Sequence, residues 1–157
     1  IGLVGSEMCI RDRCGMGGRL IADIVTKGMN VITQNTTLIV SPQSEVGDFR
    51  HFLVSQRLVV DDEKMLKEDG KYYFIIKCRK SDENVYSEYS ETQYQYGWKL
   101  LENKDKTLYE YLIKEKETND GISNSLKKDE SNPTVKLRLQ QLSQKNNIIM
   151  DALSYYD

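Results

Sequence analysis

A cluster of glycines near the start of the chain is the stretch whose residue types could do chemistry. It reads Cys14-Gly15-Met16-Gly17-Gly18 and runs directly into an amphipathic segment. Glycines permit backbone angles and close approaches that a Cβ would block, and a helix that follows offers free N–H groups at its start. The cluster therefore predicts a place where a ligand lies against the backbone. The alternative is a plain strand-to-helix turn.

The elements that must position this cluster are predicted from apolar spacing and β-branched runs. They are a helix over residues 17–27, a buried parallel strand over 37–40, a helix over 45–56, and two strands, 58–60 and 71–78, whose hairpin turns at Asp69-Gly70. This order is typical of the C-terminal half of an α/β sheet that ends in an antiparallel strand. The polar, tyrosine-rich residues 81–95 are interpreted as a linker.

The last third of the chain has a different pattern. Apolar residues recur at spacings of three and four, and a charged turn, Lys127-Lys128-Asp129-Glu130, separates two such runs. Asn132-Pro133 supplies a helix cap and a first-turn proline for the second run. The pattern predicts an antiparallel, coiled-coil-like helical hairpin. The predicted domains are therefore residues 14–93, the α/β part, and 94–157, the helical extension.

Residues 1–13 do not read as part of either domain. They resemble translated sequencing-adapter DNA, and their short apolar runs do not fit a signal peptide. We therefore expect an upstream portion to be missing and the chain to be inactive alone. Residues 38–40 would then present an unpaired apolar edge, unless Met8-Cys9-Ile10 pairs there by accident.

Composition limits the function further. The chain is 39% hydrophobic and 29% charged, which is typical of a globular protein, and no segment has the length of a membrane span. Three separated cysteines without a CxxC pair predict a cytoplasmic protein with neither a disulfide framework nor a zinc site. His51 is the one histidine, which excludes a multi-histidine metal site in this chain, and we expect it on a helix surface.

Charge gives no overall signature of nucleic-acid binding. The net charge is −2, and residues 94–157 hold equal numbers of basic and acidic side chains. Any contact with nucleic acid must therefore come from local patches.

Taken together, the chain resembles the TrmK-like bacterial tRNA (adenine-N1)-methyltransferases that act on adenine 22. The resemblance runs from Cys14 nearly to the C-terminus. Three positions depart from the family pattern: Ser41 replaces a usual Gln, Phe52 a Trp and Phe74 an acid. The residues that match are Gly15-Met16-Gly17-Gly18, Leu20-Ile21, Ile24, Leu38-Ile39-Val40, Pro42-Gln43, Arg50, Leu53, Glu63, Glu68-Asp69-Gly70-Lys71, Tyr73 and Tyr96-Gly97.

The resemblance implies a Rossmann-like class I domain that binds S-adenosylmethionine and a helical extension that helps to hold tRNA. It leaves the catalytic residues unknown and implies no metal and no membrane. The residues assigned to the cofactor and base pocket are Gly15, Met16, Gly17, Gly18, Pro42 and Gln43. Those assigned to tRNA are Arg50, Lys127, Lys128, Lys136 and Arg138.

Alternatives stay open for several of these residues. Arg50 is equally well interpreted as an ion pair with Glu45 or Asp48 on its own helix. Tyr72 and Tyr73 are interpreted as sheet residues in preference to base-stacking platforms. The whole chain is alternatively a non-enzymatic α/β scaffold whose hairpin associates with other proteins.

Overall fold

A five-stranded sheet organises the first half of the molecule. The computed structural model describes residues 2–4, 7–10, 16–82 and 87–157, and the first two ranges by their backbone only. The strands, in sheet order β1-β2-β3-β5-β4, are β1 (Gly2–Val4), β2 (Glu7–Ile10), β3 (Thr37–Val40), β4 (Leu58–Glu68) and β5 (Lys71–Lys80).

Strand β3 is paired on both sides. It runs parallel to β2, with Met8 opposite Leu38 and Ile10 opposite Val40, and antiparallel to β5, with Leu38 opposite Cys78. Residues 38–40 therefore do not present an unpaired edge, because Met8-Cys9-Ile10 pairs with them, which is the exception allowed in the sequence analysis. The predicted bounds of β3 itself are confirmed.

The two predicted helices pack against this sheet. They are α1 (Gly18–Gly28) and α2 (Val46–Ser55), each within about one residue of the predicted bounds. Ile21 and Val25 of α1, Phe49 and Leu53 of α2 and Leu38 of β3 are buried in one apolar core.

The β4–β5 hairpin turns at the predicted dipeptide. Asp69 and Gly70 both have positive φ angles, 50° and 76°, which is the geometry of a type I′ turn. Strand β4 is much longer than the predicted 58–60, because a bulge between Val60 and Asp62 shifts its register by one residue. After the bulge the Glu63 side chain faces the protein interior. Strand β4 therefore continues through the polar residues that follow Val60.

The predicted linker over residues 81–95 is wrong at its C-terminal end. Helix α3 (Glu91–Tyr96) begins there at a capping box, in which the Ser90 side chain accepts from the Gln93 N–H and the Gln93 side chain accepts from the Ser90 N–H. Helix α4 (Trp98–Glu102) follows after a corner at Gly97.

Two long helices complete the chain. Helix α5 (Lys106–Leu126) and helix α6 (Pro133–Ser154) are joined through a short 3₁₀ turn (Lys127–Asp129), and Asn132 caps α6 as predicted. The Asn119 side chain of α5 donates to Asn146 of α6 at 3.2 Å, and the Lys104 side chain reaches the carbonyl of Asp157, so the helices run antiparallel. The coiled-coil character of this pair stays a prediction.

A second core joins the long helices to the far half of the β4–β5 hairpin. Met65 of β4 and Phe74 of β5 pack in it with Leu108, Leu112 and Ile149 of the long helices. The bulge in β4 is what places Met65 on this face. In the part of the chain that the structure describes, no helix is long and apolar enough to cross a membrane.

Arg50 is completely buried, which corrects its predicted contact with tRNA phosphate. Its Nε donates to Glu63 Oε1 at 2.8 Å, and its Nη1 donates to the carbonyls of Tyr94 and Gln95, both at 2.9 Å. The alternative partners on its own helix, Glu45 and Asp48, are also wrong. A side chain without solvent exposure cannot reach a phosphate group, so Arg50 is a structural residue.

The Arg50–Glu63 pair holds the corner between α3 and α4. Arg50 binds carbonyls at the C-terminal end of α3, while Glu63 Oε2 accepts from the Lys99 N–H at the start of α4, at 3.1 Å. A cation at a helix C-terminus and an anion at a helix N-terminus both match the helix dipoles. Gly97, between the helices, has φ of 94°, and a Cβ there would lie 2.5 Å from Glu63 Oε2.

We expect Glu63→Ala to lower the free energy of unfolding by about 3–5 kcal/mol, because it leaves the buried Arg50 guanidinium uncompensated. Glu68→Ala, an exposed position near the end of the same strand, is the matched control and should change the stability by less than about 0.5 kcal/mol. Urea denaturation followed by circular dichroism measures both. Equal stabilities of the two variants would contradict this role for the pair.

Candidate functional site

The loops that follow β2 and β3 meet at one edge of the sheet, as expected for parallel strands. The Gln43 N–H donates to the Met16 carbonyl at 2.9 Å, and the Gly18 N–H donates to the Ser44 carbonyl at 2.8 Å. The structure thus brings the loop at Met16 to Gly18 against the loop at Pro42 to Ser44. Their contact with a cofactor or a base stays a prediction. Gly15 lies outside the described residues.

The space beside the two described glycines is filled by protein. A Cβ on Gly17 would lie 2.7 Å from Ser44 Oγ, and a Cβ on Gly18 would lie 2.7 Å from the Glu45 carbonyl oxygen and 3.0 Å from Phe49 Cβ. The predicted close approach is therefore present, but the group that approaches is the neighbouring loop. This gives Gly17 and Gly18 a packing role that is separate from any contact with a ligand.

A cleft of about 330 Å³ opens on the other side of the β3–α2 loop. One wall is residues 42–48, so the predicted pocket residues Pro42 and Gln43 line it, whereas Gly17 and Gly18 do not. The remaining walls are aromatic and polar side chains of the hairpin, α3 and the two long helices: Tyr72, Phe74, Gln95, Tyr96, Tyr111, Glu115 and Lys145. The cleft therefore lies where the α/β part and the helical extension meet.

Glu115 is the polar centre of this cleft. It accepts hydrogen bonds from the hydroxyls of Tyr96 at 2.9 Å and Tyr111 at 3.0 Å, and its Oε1 lies 3.3 Å from Lys145 Nζ. Burial raises the pKa of Tyr96 and of Tyr111, and the nearby Glu115 charge raises both further. Both hydroxyls are therefore neutral donors at physiological pH, and they fix the carboxylate in place.

Sequence reasoning missed this group. In the sequence analysis, Tyr96 is named only beside Gly97 in the family resemblance, and neither Tyr111 nor Glu115 is assigned to a site. The available signal was the Tyr111/Glu115 spacing of four, which places both side chains on one face of a helix. The partner Tyr96 comes from another element, so no local pattern predicts it.

The four cations assigned to tRNA in the helical hairpin lie at one end of it. Lys127 and Lys128 are in the turn, and Lys136 and Arg138 are in the first turns of α6. All four are exposed, and within the described ranges none of them forms an ion pair. Their phosphate contact stays a prediction. The fifth predicted tRNA residue, Arg50, is buried far from solvent instead.

Two residues with reactive side chains have structural positions. His51 is exposed on the surface of α2, as predicted, and stacks on the Tyr94 ring with a centroid distance of 3.6 Å. Cys78 is buried, which raises its thiol pKa to about 12, so it packs as a neutral group. Among the described residues, no cluster of histidine, cysteine or acidic side chains is arranged to hold a metal ion.

The comparison with known families decides which family this architecture represents. The model of the family described as tRNA (adenine(22)-N(1))-methyltransferase matches residues 8–150, nearly the whole chain. The chain belongs to this family. Its Bacillus subtilis member, a tRNA (adenine(22)-N(1))-methyltransferase, is 35% identical to the chain over 71 residues, which are 45% of this chain and 30% of the relative.

Solved structures show the same fold. A putative tRNA (m1A22) methyltransferase from Streptococcus pneumoniae is 26% identical, with a TM-score of 0.77 over 94% of this chain and 61% of that one. Its complex with S-adenosyl-L-methionine is 24% identical, with a TM-score of 0.70 and coverages of 94% and 60%. A protein of the NADB-Rossmann superfamily from Streptococcus agalactiae is 25% identical, with a TM-score of 0.68 and coverages of 94% and 58%.

These matches show that this family member has a Rossmann-like α/β fold. They confirm the predicted fold class, whereas the coiled-coil character of the helical hairpin stays a prediction. The chain spans less than two thirds of the length of each of these relatives. Several residues that carry the family resemblance, including Arg50, Glu63 and Gly97, belong to the buried corner and not to the cleft.

We expect Gly18→Ala to lower the free energy of unfolding by about 1–3 kcal/mol, because its Cβ meets backbone that cannot move aside. Gly17→Ala should lower the free energy of unfolding by less, because the Ser44 hydroxyl that the new Cβ would contact can rotate away. Gly121→Ala, which has open space on an exposed face of α5, is the control and should stabilise the protein by about 0.5–1 kcal/mol. Thermal unfolding of the three variants checks this order, and equal melting temperatures would contradict it.

Proposed function

We propose that this chain is part of a cytoplasmic enzyme that transfers a methyl group from S-adenosylmethionine to N1 of adenine 22 in tRNA. The observation that carries the proposal is the family match over residues 8–150. The names of the B. subtilis and S. pneumoniae relatives, and the S-adenosyl-L-methionine complex of the latter, support it. The same match disfavours the alternative of a non-enzymatic scaffold.

S-adenosylmethionine fits the described residues in part. The joined loops at Met16 to Gly18 and at Pro42 and Gln43 form one edge, against which a cofactor would rest on backbone and apolar groups. Ser44 and Glu45 already fill the space beside Gly17 and Gly18, so the cofactor would lie against the joined loops and not between them. When bound, it supplies the electrophilic methyl group.

The rate of this reaction depends mainly on how the enzyme positions the adenine and the methyl donor. N1 of neutral adenine has its own lone pair, so no base is needed to activate it, and correct alignment supplies much of the rate. N1 lies on the Watson–Crick edge, so the adenine must leave its pair or stack before it can react. Met16 would provide an apolar wall for the displaced base and Pro42-Gln43 the neighbouring lip, which excludes water from the site.

The helical extension would hold the rest of the tRNA. We propose that α5 and α6 act as a coiled-coil-like arm whose far end carries Lys127, Lys128, Lys136 and Arg138. Among the described residues these four exposed cations form no ion pair, and we take them as a local basic patch on a chain that is otherwise near neutral. Such a patch suits the phosphate backbone, which is recognised through charge and not through sequence.

The proposed activity is tested with the chain extended at its N-terminus to the length of the matched relatives. We expect it to methylate a tRNA transcript with adenine at position 22 in the presence of S-adenosylmethionine. N1-methyladenosine blocks the Watson–Crick edge, so a stop of reverse transcription at that position, confirmed by mass spectrometry of nucleosides, reports the product. A transcript with guanine at position 22 is the control. Equal methyl incorporation into both transcripts, or none into either, would overturn the proposal.

The basic patch is tested by replacing Lys127, Lys128, Lys136 and Arg138 with Gln in the same extended protein. The affinity for tRNA should fall by at least tenfold at low salt, and the slope of log K against log salt should become less steep by about 0.9 for each lost phosphate contact. Replacing Lys27, Lys64, Lys71 and Lys77, which are exposed on the α/β part, with Gln gives a control that also removes four positive charges. An unchanged affinity and slope would remove the patch from the interface.

A further inference from the structure

A groove of tyrosines and lysines continues from the cleft onto α5. A second cavity of about 200 Å³ shares Tyr72, Tyr111, Glu115 and Lys145 with the first and adds Lys114, Thr118 and Asn119. We call the shared region, with Lys114, the tyrosine groove. Neither the family description nor the predicted sites assign it a role.

The rings of the groove form a connected aromatic surface. Tyr72 and Tyr111 meet edge to face, with centroids 5.1 Å apart and planes at 61°, and Phe74 meets Tyr111 at 6.0 Å. Tyr72 and Tyr111 are only partly buried, so each keeps an exposed portion at the groove. Aromatic rings of this kind stack on unpaired nucleobases whatever their sequence.

The charges of the groove suit an anionic partner. Lys67 Nζ and Lys114 Nζ lie 5.4 Å and 5.6 Å from the Tyr72 ring centroid. Glu110 is bound by Lys67 and by the Tyr72 hydroxyl, and Glu115 is bound by two tyrosine hydroxyls and Lys145, so both carboxylates are already satisfied. Within the described residues, Lys114 has no carboxylate at ion-pair distance.

The position of the groove also favours RNA over other polyanions. At one end it opens on Pro42 and Gln43 of the loop edge. At the other, Lys114 of α5 lies thirteen residues before Lys127, the first residue after that helix, which is about 20 Å along the helix axis. A strand that touches both the basic patch and the loop edge would therefore run past the tyrosines.

We propose that the tyrosine groove binds one unpaired nucleotide of the RNA substrate, with its base against Tyr72 and Tyr111 and its phosphate near Lys114 and Lys145. This deepens the proposed function and rests on it, since tRNA is taken as the polyanion. The groove holds a nucleotide next to the reacting adenine's site and takes no part in methyl transfer itself.

The test compares two short probes on the 157-residue chain. One is a fluorescent hexa-adenylate, and the other is an abasic ribose-phosphate oligomer of the same length and charge. Tyr72→Leu should weaken binding of the hexa-adenylate by about tenfold, as for the loss of one base stack, and leave the abasic probe unchanged. Tyr72→Phe, which keeps the ring, should bind both probes within about twofold of wild type.

Matched variants separate this effect from a loss of structure. Tyr73→Leu changes the adjacent residue, which points to the opposite face of β5, and should bind both probes like wild type. Lys114→Gln, at an exposed position, should weaken both probes equally and lower the salt slope by about 0.7, the value for one contact to a single strand. Thermal unfolding of each variant checks that the fold persists.

Three results would overturn this proposal. Tyr72→Leu could weaken the binding of both probes equally, Tyr73→Leu could weaken the binding of hexa-adenylate as much as Tyr72→Leu does, or the folded wild-type chain could fail to bind hexa-adenylate. None of these bears on the methylation of adenine 22 by the extended protein, which is measured separately. If the groove fails while that protein still methylates its tRNA, the proposed function stands without this contact.

Discussion

The buried pair of Arg50 and Glu63 ties the α/β half to the corner from which the helical extension begins. It joins α2, β4 and the corner between α3 and α4 through hydrogen bonds to both helix ends. Burial lowers the pKa of Arg50, and Glu63 counteracts part of that shift. Charges removed from water cost several kcal/mol each, and good geometry with further hydrogen bonds is needed to offset that cost. The corner supplies such bonds to Arg50 Nη1 and to Glu63 Oε2, whereas Arg50 Nη2 has no hydrogen-bond partner among the described residues. The absence of a side chain at Gly97 leaves the space that the pair occupies.

The bulge in β4 connects this pair to the second core. One extra residue after Val60 changes which side chains face inward, so Glu63 reaches Arg50 and Met65 packs beside Phe74. Without the bulge, Asp62 and Lys64 would take those inward positions. The far half of the hairpin would then present charge where α5 and α6 need an apolar surface. The bulge thus allows the β4–β5 hairpin to contribute buried side chains to both apolar cores.

Most helices and strands could be predicted because their signals lie in neighbouring residues. The candidate site could not, because it depends on contacts between residues that are distant in sequence. The apolar spacing of α1 and α2, the β-branched run of β3 and the Asp69-Gly70 turn each depend on neighbours in sequence. The partner of Arg50 lies thirteen residues away on a strand whose register the bulge sets, so the sequence suggested only the nearby acids Glu45 and Asp48. The glycine cluster correctly indicated a close approach, but glycine does not specify whether a ligand or a loop approaches. The cleft around Glu115 exists only after α5 docks on the hairpin.

The proposed chemistry fits a site of this kind. Attack of N1 on a methyl sulfonium moves a positive charge from the cofactor to the adenine and transfers no proton, so the step needs no side chain with a perturbed pKa. A reaction that depends on alignment is sensitive to small displacements of the groups that position its substrate. The Arg50–Glu63 pair links α2, which follows the loop edge, to the corner between α3 and α4, from which the helical arm starts. Under the proposed function, this pair would help to align a tRNA bound by the arm with the loop edge, although neither residue lines the cleft.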